Sequence, residues 1–235
     1  MKKIGITGQS GFLGSHLYNT IGLFPDKFIR IPFNDQYFQD LNLLNDFIKQ
    51  CDVVVHLAAM NRHNDPEVLH NTNIELVRKL ISSLDLTQKH PHIIFSSSIQ
   101  EDIDNPYGRS KKEGRELLAN WAEKNNAIFT GYVFPNIFGP FGNPYYNSFI
   151  ATFSHQLTHN ETPKIEIDKT VPLIYVDEAV KAIINSIDNK NNNKEYRVSH
   201  SVERKVTDIL EILKSYKSSY FDKGVFPHFN DKLEQ

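Results

Sequence analysis

Lys3-Ile-Gly-Ile-Thr-Gly8-Gln-Ser-Gly11-Phe-Leu-Gly14-Ser-His-Leu17 decides the fold. It opens as a buried strand through Ile4 and Ile6 and breaks into a turn with glycines at positions 8, 11 and 14. It resumes as an amphipathic helix with Leu13, Leu17 and Ile21 spaced four apart. Gly8 lets the chain reverse, Gly11 removes a side chain that would keep a pyrophosphate from the backbone, and Gly14 lets the helix lie close on the strand. The unpaired N–H groups of the helix's first turn then face the phosphates. Such a stretch is either a dinucleotide site or an ordinary glycine-rich turn of an α/β protein, and its place between a clean strand and a clean helix favours the first.

Outward from that stretch, strands and helices alternate. Lys27 to Ile31 reads as a second strand, whose tip is Pro32-Phe33-Asn34-Asp35. There an acid would accept the ribose of NAD and a cation the phosphate of NADP; Asp35 points to the first and Arg30 to the second. Leu41 to Lys49 has helical spacing, and Asp52 to Ala59 is an apolar run expected of a strand buried on both faces. The loop Met60 to Pro66 lies beyond the carboxyl end of that strand, where open α/β sheets bind ligands, and Arg62 is its only cation. A helix from Asn71 to Leu84, a strand from His92 to Ser98, a helix from Tyr107 past Trp121 and a strand from Ala127 to Phe134 follow. The alternation predicts a doubly wound parallel sheet. Beyond residue 140 the pattern changes to a turn-rich, aromatic segment, a helix from Tyr145 to Gln156, a strand from Pro172 to Tyr175 and a helix from Val176 to Ile184 that Asp177 can cap. A small strand over 195–198 and a helix from Val206 to Tyr216 complete a lobe.

At 235 residues the chain can bury a sizeable core without staples. A net charge of −2 with no cluster of Lys or Arg argues against nucleic acid or an anionic membrane as partner. The single cysteine, Cys51, rules out an internal disulfide and reads as a small buried residue before a strand. Met1-Lys-Lys is followed by no apolar core, and no run reaches spanning length, which predicts a cytoplasmic protein.

Tyr107 and Lys111, four apart on a predicted helix, project from one face about 6 Å apart. A tyrosine with a pKa near 10 is a poor acid–base group at neutral pH, and an adjacent ammonium stabilises its phenolate. Ser96-Ser97-Ser98 supplies hydroxyls at the end of the preceding strand. Such pairs occur by chance on many helix surfaces; joined to the glycine turn and the serine strand, this one points to chemistry.

These residues resemble the extended short-chain dehydrogenase/reductases that act on nucleotide sugars. The matching positions are Thr7 to Gly14, His56-Leu-Ala-Ala59, Asn73, Ser98, Tyr107-x3-Lys111, Pro135-Asn136, Phe138-Gly-Pro140 and Tyr175-Val-Asp177. More closely, Ser96 to Gln100, Asp104 to Gly108, Asn61-Arg62, Tyr146 to Phe153 and the nine-residue spacing from Ser98 to Tyr107 look like the reductase half of the CapF-type capsule enzymes. The resemblance implies a Rossmann domain over 1–140 with 165–190, and a small C-terminal α/β substrate lobe over 141–164 with 191–235. Ser98, Tyr107, Lys111 and Asn73 would be the catalytic set. A nicotinamide cofactor would lie on Gly8, Ser10, Gly11, Phe12, Leu13, Gly14, Leu57, Ala58, Ala59, Ser96, Tyr107, Lys111 and Pro135. Arg62, Ser98, Tyr107, Asn136, Asn147 and Ser148 would meet a UDP-sugar.

The implied reaction is reduction of the C4 ketone of a UDP-2-acetamido-2,6-dideoxy-4-ketohexose, toward UDP-N-acetyl-L-fucosamine. NADP(H) is favoured by the resemblance and NAD(H) stands beside it, because Asn34 occupies the place of the basic residue associated with NADPH. A homodimer is the default assembly. No metal is expected: the chain stops before the metal-binding cupin domain of the CapF-type enzymes, and His155 and His159 have no third ligand nearby. A 4-epimerase shares the same Ser, Tyr and Lys, and a non-catalytic nucleotide sensor would keep the fold. A 4,6-dehydratase would carry an acidic pair after the serine, where Ile99-Gln100 stand.

Overall fold

The structure, a computed structural model, describes residues 1–231, 233 and 234. The opening stretch forms β1 (Lys2–Thr7) and α1 (Phe12–Gly22). They are followed by β2 (Phe28–Ile31), α2 (Leu41–Gln50), β3 (Val53–His56), α3 (Pro66–Thr87), β4 (His92–Ser98), α4 (Pro106–Lys124) and β5 (Phe129–Phe134). The second half adds β6 (Asn136–Phe138), α5 (Phe149–Thr158), β7 (Thr170–Tyr175), α6 (Val176–Asn189), β8 (Asn193–Arg197), β9 (Val202–Lys205) and α7 (Val206–Tyr216).

The chain divides into two compact units, Met1–Phe134 with Val176–Val198, and Pro135–Tyr175 with Ser199–Gln235. In the first, six parallel strands run in the order β2-β1-β3-β4-β5-β8. Helices α2, α3 and α4 pack side by side, and α1 packs against α6, so the sheet is doubly wound. β3 and β5 are buried along their whole length, the pattern of strands covered on both faces. Strand order reverses between β1 and β3, which places a crevice at the ends of Thr7 and His56. In the second unit, β6 pairs parallel with β7 and β9 antiparallel with β7. Phe153, Leu157, Leu173, Ile209 and Leu210 form its core.

Several boundaries differ from the sequence reading. α3 starts at Pro66, because Asp65 accepts the Glu67 N–H at 2.9 Å and Pro66 fits the first turn. α5 starts at Phe149: Ser148 accepts the Ala151 N–H at 3.2 Å, while Tyr145 sits at φ +60°, outside a helix. β3 ends at His56, and Leu57 to Ala59 leave the ladder as loop. Asp177 lies inside the first turn of α6 and suits the helix dipole there. β8 pairs with β5 in the first unit, and not in the lobe expected from residue 191 onward. Among the described residues no helix is long and apolar enough to cross a membrane.

Candidate active site

The glycines of the first turn divide their work by contact. Gly8 has φ +71°, and a Cβ there would lie 2.8 Å from the Ala58 nitrogen, so the turn rests on the chain leaving β3. Gly11 is exposed; its N–H donates to the Gly8 carbonyl at 3.0 Å and its carbonyl accepts from Ser15 N–H at 2.8 Å. Gly14 is buried, and a Cβ on it would fall 2.2 Å from the Gly8 oxygen. Its close approach is therefore to the turn, a correction to the expected approach to the strand. No side chain caps α1, so the first-turn N–H groups beside Ser10, Phe12 and Leu13 form an anion-accepting end next to a Cβ-free cradle, which fits a pyrophosphate.

Across the crevice, Leu57, Ala58 and Ala59 are half-buried, and His56 is 1% exposed. Its Nδ1 lies 2.7 Å from Thr7 Oγ1, its ring stacks on Phe95 at 5.8 Å, and its Nε2 has no partner. Burial, with Lys111 adding to it, pushes the His56 pKa down to about 3, so the ring is neutral. Asn73 ties the next loop down. Met60 N–H donates to Oδ1 at 2.6 Å, and Nδ2 donates to the Met60 carbonyl and to Ser110 Oγ, both at 3.0 Å. Ser110 in turn donates to the Tyr107 carbonyl at 2.8 Å. The loop after β3 and the backbone of Tyr107 are thus joined through two side chains.

α4 begins with Asn105 accepting the Gly108 N–H at 2.8 Å and Pro106 in the first turn. Gly108 makes that start possible, since a Cβ would sit 1.9 Å from the Gln100 carbonyl. Tyr107 is half-buried and Lys111 only 3% exposed. The ammonium stands 4.6 Å from the centre of the Phe95 ring. Desolvation lowers its pKa from the ordinary 10.5 to about 8, against a smaller upward pull from Glu101. Ser98, ending β4, accepts the Gln100 N–H at 3.2 Å and opens a short 3-10 turn over Ile99–Asp102; Ser96 is half-buried one strand step back. His56, Ala58, Ala59, Asn73, Val77, Phe95, Ser110 and Lys111 line one narrow recess, too tight to admit a water molecule. A wider depression lined by Tyr37, Leu41, Leu44 and Lys79 holds none of the residues the sequence nominated.

Other nominated residues lie elsewhere. Arg62 is exposed on its loop. At the end of β2, Arg30 lies 4.3 Å from the Tyr18 ring, Asn34 accepts the Gln36 N–H at 2.9 Å, and Asp35 is exposed. The Phe33 N–H donates to Gln9 Oε1 at 3.2 Å, linking the glycine turn to this strand end. In the second unit, Pro135 leads into β6, Asn136 donates to the Pro172 carbonyl at 3.1 Å, Asn147 is exposed, and Ser148 caps α5. The His155 and His159 rings stack at 3.9 Å, and among the described residues no three His, Cys, Asp or Glu are grouped to hold a metal. Cys51 is buried, donates to the Phe47 carbonyl at 3.2 Å, and has its pKa pushed up to about 12 by burial.

Sequence reasoning did not single out Phe95, Ser110 or Gly108. The Asn105-Pro106 helix start carried a signal for Gly108; the other two emerge only from packing.

The buried ammonium sets a stability expectation. Below pH 8 Lys111 is charged in folded and unfolded chains alike and its burial penalty is fully present; as pH rises from 8 to 10.5 the folded chain sheds the proton first and the penalty fades. Lys111→Met should therefore raise stability at pH 7 by about 1–3 kcal/mol after loss of the ring contact, with the gain shrinking toward pH 10. Thermal denaturation across that range checks it, and a variant less stable than wild type at pH 7 contradicts it.

The family model for the NAD dependent epimerase/dehydratase family matches residues 4–199. A curated relative, the UDP-2-acetamido-2,6-beta-L-arabino-hexul-4-ose reductase of Pseudomonas aeruginosa, is 28% identical over 223 residues, covering 92% of this chain and 58% of its own. The crystal structure of the capsular polysaccharide assembling protein CapF from Staphylococcus aureus superposes with a TM-score of 0.82 at 29% identity, over 99% of this chain and 62% of that one. The chain thus spans less than two thirds of either relative. A UDP-glucose 4-epimerase of Thermotoga maritima, solved with UDP-glucose, shares the fold at a TM-score of 0.81 and 20% identity, over 98% of this chain and 86% of its own.

Proposed function

The chain belongs to the NAD dependent epimerase/dehydratase family, and on that premise we propose that it reduces the C4 ketone of a UDP-2-acetamido-2,6-dideoxy-4-ketohexose with a nicotinamide dinucleotide. The observation that carries the reading is Lys111, buried as an ammonium one helical turn beyond Tyr107 and on the same face of α4. A reduced dinucleotide held on the glycine turn would supply the hydride for sugar C4. Tyr107 gives its phenolic proton to the C4 oxygen, Lys111 stabilises the phenolate left behind, and Ser98 orients that oxygen by hydrogen bond. Asn73 acts at one remove, holding Met60 and, through Ser110, the backbone of Tyr107. Arg62 and, on the second unit, Asn136, Asn147 and Ser148 are the proposed substrate contacts.

Elimination of water is disfavoured. The first acids after Ser98 are Glu101 and Asp102, and they pair with Arg115 and Arg197. For the hydride donor we take NADPH, the choice the resemblance favours, with NADH as the alternative. Arg30, the one cation of β2, rests on Tyr18, so comparing NADPH and NADH affinities of Arg30→Ala and wild type tests the choice. A homodimer belongs to the same reading, with light scattering as its check.

Incubation with NADPH or NADH and a panel of UDP-4-keto sugars, followed by mass spectrometry, tests the function. One dinucleotide oxidised per product, with two hydrogens gained by the sugar, is expected. Interconversion of sugars without dinucleotide consumption would mark a 4-epimerase and overturn the reading.

A further inference from the structure

Three residues beyond Ser98 stands a carboxylate that takes no chemical step in the proposed reduction. The Glu101 side chain is 2% exposed. It accepts the Ser97 hydroxyl at 2.5 Å and two N–H groups of Arg115, from Nε at 3.1 Å and from Nη2 at 2.7 Å. Arg115, 6% exposed, stands one turn after Lys111 on α4, and its Nη1 donates to the Lys194 carbonyl at 3.0 Å. β5 leaves room for its stem at Gly131, where a Cβ would lie 2.9 Å from Arg115 Cδ. From β8, Arg197 lies 3.8 Å from Glu101 and bonds Asp102 and Glu195; Glu195 also lies 3.2 Å from Arg115.

One carboxylate therefore joins the serine-bearing end of β4 to the helix that carries Tyr107 and Lys111. A buried ion pair contributes little net stability, because desolvating both charges offsets their attraction. What its fixed two-pronged geometry does supply is orientation. We propose that Glu101 is a positioning residue for the reduction: through Ser97 it holds the strand end that presents Ser98, and through Arg115 it fixes the turn of α4, so that hydroxyl, phenol and ammonium keep one frame. The inference rests on the proposed function above.

Charge adds a second readout. Lys111 is faced by Glu101 and by neutral His56, with Tyr107 one turn away on its own helix; Glu101 is faced by Arg115 and Arg197, which Glu195 and Asp102 partly balance. Glu101→Gln keeps the volume and removes the negative charge, so Lys111 should lose its proton at lower pH.

The test compares wild type, Glu101→Gln, Glu101→Asp and the double variant Glu101→Gln/Arg115→Met. Expected for Glu101→Gln is a roughly ten- to hundredfold fall in kcat with sugar KM within about twofold. The high-pH limb of kcat should move down by about one unit, and Glu101→Asp should recover part of the rate. The double variant removes both buried charges and should regain the unfolding midpoint while kcat stays low. A double variant with wild-type kcat and pH profile would overturn the proposal, as would a kcat loss in Glu101→Gln that disappears whenever the midpoint is restored. The Lys111 side-chain NMR titration in the substrate-free protein should follow the same downward shift. Wild type inactive on every ketosugar would sink the function reading instead, while an unmoved Lys111 titration in Glu101→Gln would sink the charge link alone.

Discussion

Tyr107→Phe is expected to lower turnover of the ketosugar by two to four orders of magnitude, the usual range for losing a positioned proton donor. The substitution removes one oxygen and keeps the ring, at a half-buried position in the first turn of α4. The Asn105 cap, Gly108 against Gln100, and the Ser110 bond to the 107 carbonyl are all made without the phenol oxygen. Helix α4 should therefore still form, and dinucleotide affinity should stay within about twofold of wild type, as befits a group that acts in the transition state. Steady-state oxidation of NADPH beside a dinucleotide titration makes the measurement. Turnover equal to wild type would remove Tyr107 from the chemistry.

Gly14→Ala carries the largest expected effect on binding and stability together. Its Cβ would meet the Gly8 oxygen at 2.2 Å and Gln9 Cα at 2.9 Å, and both are backbone, which cannot swing aside as a side-chain tip can. Either α1 lifts from the turn or the turn opens, at about 1–3 kcal/mol. Because the uncapped end of α1 is the proposed pyrophosphate seat, the same shift should weaken dinucleotide binding at least roughly tenfold. Gly11→Ala is the milder comparison: its Cβ would lie 3.2 Å from the Gly8 oxygen at an exposed position, so the turn must give by only a few tenths of an ångström and stability should fall less than in Gly14→Ala, while a pyrophosphate seated there would still be repelled. Thermal melts and dinucleotide titrations of both variants separate the two roles. A Gly14→Ala protein that melts and binds like wild type would refute the packing argument.

What could be read in advance was whatever depends on short-range pattern. The alternation of Ile4 and Ile6, the apolar run of Val53 to Val55 and the four-residue spacing of Leu13, Leu17 and Ile21 each reflect a local period, and the doubly wound sheet follows from their order. Helix α7 appears at the predicted bounds, Val206–Tyr216, for the same reason. Pairing partners are a different matter. Nothing in Asn193–Arg197, exposed along its length, says that it will lie beside β5; register with Thr130, Tyr132 and Val133 decides that. The site divides in the same way. Tyr107 and Lys111 share a helix face that spacing alone reveals, whereas the Phe95 ring under the ammonium, the Asn73–Ser110 link and the Glu101–Arg115 pair join segments far apart in the chain.

The return of β8 to the edge of the first sheet bears on how the protein emerges from the ribosome. β5, buried at every position in the finished fold, is synthesised about sixty residues before the strand that covers it, several seconds at ordinary elongation rates of roughly 5–20 residues per second. Throughout that interval Phe129 to Phe134 offers an open, apolar hydrogen-bonding edge, the kind of surface that pairs with other nascent chains. Holdase chaperones should accordingly engage the growing polypeptide most strongly between completion of β5 and arrival of Asn193–Arg197, and chains released in that window should be the ones that aggregate.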